Sequence, residues 1–62
     1  MAYIYDMRTG KRITNSITME DMSIDMMLLC CGYYVDLGSG KIYDLNGNAI
    51  DADYSSLAIK YE

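Results

Sequence analysis

The chain has 62 residues, of which nine are acidic and five basic, giving a net charge of −4 with no histidine. A domain this small buries only about 60% of the surface its unfolded chain exposes, which leaves room for one core and makes stability marginal. The acidic balance argues against direct nucleic-acid binding, and the longest apolar run, over 26–31, is far too short to cross a bilayer.

The chain begins Met1-Ala2-Tyr3-Ile4-Tyr5-Asp6, with no basic segment leading into an apolar one, so no signal peptide and a cytoplasmic location are expected. Its first feature is a hairpin. Ile4-Tyr5-Asp6-Met7-Arg8-Thr9-Gly10-Lys11-Arg12-Ile13 reads as strand, acidic shoulder, Gly-containing turn and strand. The same pattern returns from Val35 through Asp36 and Gly40 to Ile42, and again from Ile42 through Asp44 and Gly47 to Ile50 with one residue fewer in the turn. Similar turns converging on similar residues explain the likeness better than duplication. Asn46-Gly47, the preferred pair for a type I′ turn, is the strongest of these signals.

Between the first two hairpins one helix is predicted over 18–31. Thr18 suits its N-cap, Glu20 and Asp21 supply first-turn negative charge, Ile17 and Met22 have hydrophobic-staple spacing, and Gly32 suits the position after its end. Met22, Met26 and Leu29 line one face, and the nearly all-apolar stretch from Met26 predicts burial on more than one side. The tail, Leu57-Ala58-Ile59-Lys60-Tyr61-Glu62, alternates as a half-buried strand does, with a short helix from Asp53 as the alternative. The expected fold is therefore α+β: a small antiparallel sheet of four to six short hairpin-linked strands with one helix packed on one face.

Catalytic and metal chemistry find few residues to work with. Cys30 and Cys31 are adjacent and cannot staple a long loop, so they read as reduced core thiols, and without histidine they leave a zinc site short of ligands. No cofactor is expected. Asp44, Asn46 and Asn48 alternate like the first ligands of a calcium loop, but Ala49 and Ser55 stand where such a loop needs Gly and Glu. Carboxylate-only catalysis is open in form to a pair such as Asp51 and Asp53, but a substrate pocket would consume the only core. A non-catalytic protein is the expectation.

Strand parity sorts the seven tyrosines. With Ile4, Val35 and Ile42 pointing inward, Tyr3, Tyr5, Tyr34 and Tyr43 point the other way, beside Asp36 and Lys41. Tyrosine buries a large area at low rotamer cost and keeps a polar hydroxyl, so this face is a candidate recognition surface. The candidate partner-binding residues are Tyr3, Tyr5, Tyr34, Asp36, Tyr43, Asp51 and Asp53. The methionines, by contrast, read as core filling. The expected function is a protein-binding module that blocks a larger partner with this face or an edge strand, including a nucleic-acid-binding protein whose basic surface it masks. Size and acidity fit the style of accessory proteins of phages and mobile elements, anti-CRISPR and other anti-defence inhibitors among them, an analogy that no motif carries. The alternatives are a self-assembling homo-oligomeric module and a small-ligand or Ca²⁺ sensor.

Overall fold

Ala2, Ile4 and Asp6 fall on one side of an extended N-terminal segment and Tyr3 and Tyr5 on the other, and this alternation makes Ala2–Asp6 the first strand, β1. The computed structural model describes residues 1–18 and 22–62. Among the described residues β1 is followed by α1 (Ile24–Cys30), β2 (Tyr33–Asp36), β3 (Lys41–Asp44), β4 (Ala49–Asp53), a 3₁₀ turn (Tyr54–Ser56) and β5 (Leu57–Tyr61). The α+β class is as expected, and the tail is a strand. The strands, however, form two antiparallel sheets, one of β1 and β5 and one ordered β2-β3-β4.

Two sheets arise because β1 takes its main partner from the far end of the chain. It pairs with β5 along its whole length, with Ile4 opposite Ile59 and Asp6 opposite Leu57. The return arm of the first hairpin meets β1 only at isolated bridges, Tyr5 with Arg12 and Ala2 with Ile17. Along that arm Asp6 N–H donates to Lys11 C=O at 2.8 Å and Ile13 N–H to Ile4 C=O at 2.8 Å. Both edges of β1 are thus bonded, which protects it from stray pairing.

The hairpin turns share one device. In each, the aspartate ending a strand accepts the N–H two residues on through Oδ1: Arg8 to Asp6 at 2.9 Å, Gly38 to Asp36 at 3.0 Å and Asn46 to Asp44 at 2.9 Å. A glycine then closes the turn in the left-handed region, Gly10 at φ 75, Gly40 at φ 78 and Gly47 at φ 82. The Asn46-Gly47 loop differs from the expected two-residue type I′ form. Gly47 N–H donates to Asp44 C=O and Asp44 N–H to Asn48 C=O, so the loop has three residues with glycine last.

The helix is shorter than the predicted span of 18–31 and starts later. Ser23, not Thr18, is its N-cap, and Met19, Glu20 and Asp21 lie outside the described residues. Its end is as expected, with Gly32 at φ 88 just beyond the C-cap Cys31. Ile17, placed in the staple, instead exchanges backbone hydrogen bonds with Ala2. The buried face of α1 is Met27 and Leu28, which join Ala2, Ile4, Ile42 and Leu57 in the core. Met26 and Leu29 point outward, contrary to the expected face and to the expected burial on several sides. A helix lying on one layer of strands can cover only a stripe of its circumference, and in a run this apolar the remainder stays exposed.

Candidate functional site

The seven residues named from the sequence separate into three groups. Tyr34 and Tyr43 are register partners on β2 and β3, and Asp36, two residues beyond Tyr34, stands opposite Lys41. Tyr34 is exposed and Tyr43 half-buried, so the predicted parity holds on this sheet. Tyr3 and Tyr5 are half-buried on the other sheet, where the Arg12 guanidinium lies 4.0 Å above the Tyr3 ring. Asp51 and Asp53 lie on β4, at the opposite edge of the three-stranded sheet from β2. The single tyrosine face expected from parity is therefore two faces on two sheets.

A groove of about 200 Å³ opens between α1 and β2, lined by Asp25, Leu29, Tyr33, Tyr34, Val35 and Leu37. Of these only Tyr34 is among the candidate partner-binding residues named from the sequence, and Val35 is one that parity turns inward. The groove follows from the helix phase: with Met27 and Leu28 turned to the core, Met26 and Leu29 remain outside, 48% and 53% exposed. Tyr34 at 51% and Leu37 at 68% continue the apolar surface onto the sheet and its turn. Leu45, also exposed, lies against Gly32 at the α1–β2 junction. β2 is an outer strand, so its second edge carries no neighbouring strand among the described residues.

Leu37 and Leu45, like Met7, directly follow a strand-ending aspartate and are exposed. An apolar side chain at the first turn position buries nothing in its own hairpin, and Asp-Leu or Asp-Met was the sequence signal that would have found these residues.

The charges around this frame are settled locally. Asp6 is buried and held below the usual carboxylate range, chiefly by the Arg8 side chain, with burial opposing in part. Arg8 bonds it from Nη2 at 2.9 Å and from Nε at 3.3 Å. Parity could have found Asp6, since it shares the face of Ile4. Asp53 is lowered chiefly by the Ser55 hydroxyl, which donates to Oδ1 at 2.6 Å. Asp25, in the groove, is lowered chiefly by the Ser23 hydroxyl. Cys30 is exposed and Cys31 half-buried, so neither is the core thiol expected, because the inward stripe of α1 is taken by Met27 and Leu28; burial pushes the Cys31 thiol up, with Cys30 adding to the rise. Asp44 Oδ1 accepts from both Asn46 and Asn48 N–H, turn chemistry in the segment that resembled a calcium loop.

Among the described residues no group of three or more His, Cys, Asp or Glu is placed to hold a metal, and no helix is long and apolar enough to cross a membrane. The chain matches no protein-family model, no curated protein and no solved structure.

Proposed function

We propose that this chain is a non-catalytic protein-binding module that holds a larger partner at the α1/β2 groove, acting as a stoichiometric accessory or inhibitory protein. One observation carries this: Leu29, Tyr34 and Leu37 expose apolar surface around a groove beside β2, an outer strand of its sheet among the described residues. The largest exposed apolar patch of a small protein is often the one it uses for interaction. An outer strand beside one offers unpaired backbone groups to a partner.

The test is affinity capture from cells that carry the gene, using the wild-type chain and a Leu29→Ser/Leu37→Ser variant. Both side chains are exposed, so the variant keeps its fold, checked by circular dichroism. A partner retained by wild type and lost by the variant supports the proposal. A partner held equally by both, or none at all, refutes it.

The open edge of β2 also favours a second reading, a homo-oligomer formed through that edge. Sedimentation at several concentrations decides it, because a strict monomer at tens of micromolar removes the self-assembling module.

A further inference from the structure

The chemistry of the groove identifies what kind of segment fills it. We infer that the α1/β2 groove takes an extended segment of a partner protein, added as a fourth strand along β2, whose inward residues are apolar and include one lysine or arginine facing Asp25. This rests on the binding function proposed above and adds the occupant.

Three features converge on that occupant. β2 spans four residues and ends its sheet, so a strand of about four residues can continue the backbone ladder at roughly 3.3 Å per residue. The walls beside it, Leu29, Tyr33, Val35 and Leu37, are apolar or aromatic and would receive alternate side chains of that strand. Among the described residues the charged group in the lining is Asp25, a carboxylate at neutral pH.

Among the described residues no cation lines the groove. Arg8 pairs with Asp6, Arg12 pairs with Glu62 and stacks on Tyr3, and Lys41 stands across the ladder from Asp36. A carboxylate at the wall of an apolar groove is desolvated when the groove fills, and an incoming cation offsets that cost. The same charges select against acidic segments. They also disfavour a second copy of this chain, which itself carries a net charge of −4.

A random heptapeptide display library selected against the intact chain tests this, with the enriched peptides titrated into ¹⁵N-labelled protein. The expected result is enrichment of alternating apolar residues with a Lys or Arg, and amide shifts at Leu29 and over 33–37. Asp25→Asn should weaken these peptides by about tenfold or more, the scale of a charge-assisted hydrogen bond, and added salt should weaken them as well. Asp25 is half-buried in the first turn of α1, so the folding of Asp25→Asn is checked by circular dichroism before its binding is read.

Enriched peptides without a basic residue, binding indifferent to Asp25→Asn, or no enrichment would each overturn the assignment. Shifts confined to the β1–β5 sheet would overturn it while leaving a binding module in place. A dimer in sedimentation that Leu37→Ser abolishes would make a second copy the occupant and overturn it too. Failure of the binding module itself is read separately, from the capture experiment.

Discussion

Gly40 combines two constraints that Gly10 separates. Both lie in the left-handed region, but a Cβ on Gly40 would sit 2.9 Å from Asp53 Oδ1, whereas one on Gly10 would meet nothing within 4 Å. Gly10→Ala should therefore cost only the backbone strain, about 1–2 kcal/mol. Gly40→Ala should cost more, because Asp53 is tied to Ser55 and cannot withdraw freely. Urea titration of the two variants checks the order, and equal costs would mean the Asp53 contact has no weight. Acid stability has a definite sign as well. Asp6, Asp25 and Asp53 all have folded values below the ordinary one, so their contribution is complete above a pH of about 3.9 and fades as pH falls through the lower folded values. Urea midpoints should be flat near neutrality and drop in acid, and Asp6→Asn should flatten part of that drop.

The helix is the element in which sequence and structure part furthest. Over 26–31 every residue is apolar or cysteine, so the periodicity marks an apolar element without telling its inward face from its outward one. The phase is set by what lies beneath it, and that is a tertiary fact. Truncating the inward face, by Leu28→Ala or Met27→Ala, should destabilise the chain by about 2–5 kcal/mol or unfold it. Met26→Ala and Leu29→Ala should stay within about 0.5 kcal/mol, as exposed substitutions do. Thermal melts of the four variants test the assignment, and a large loss at Met26 would restore the face expected from spacing alone. The strands were far more legible, because the inward positions Ile4 and Ile42 follow from a period of two. Glycine and aspartate at strand ends likewise announced all three turns.

At the scale of the whole molecule, local patterns left open how the strands assemble. Nothing near Ile4 indicates that its register partner is Ile59, so one sheet was expected where two exist, and the tyrosines were joined into a face that is divided. The groove was hidden for the same reason, since it needs the helix phase and the outer place of β2 together. Tyr34 and Asp36 were legible as surface residues of β2 and Leu37 could be read from its place after Asp36, whereas Leu29 and Asp25 became visible only once α1 was set beside that strand. The groove is the proposed place where the chain meets another protein. Affinity capture with wild type and Leu29→Ser/Leu37→Ser, at matched folding by circular dichroism, tests it most directly. The account predicts a partner that wild type retains and the variant loses, and a partner retained by both would contradict it.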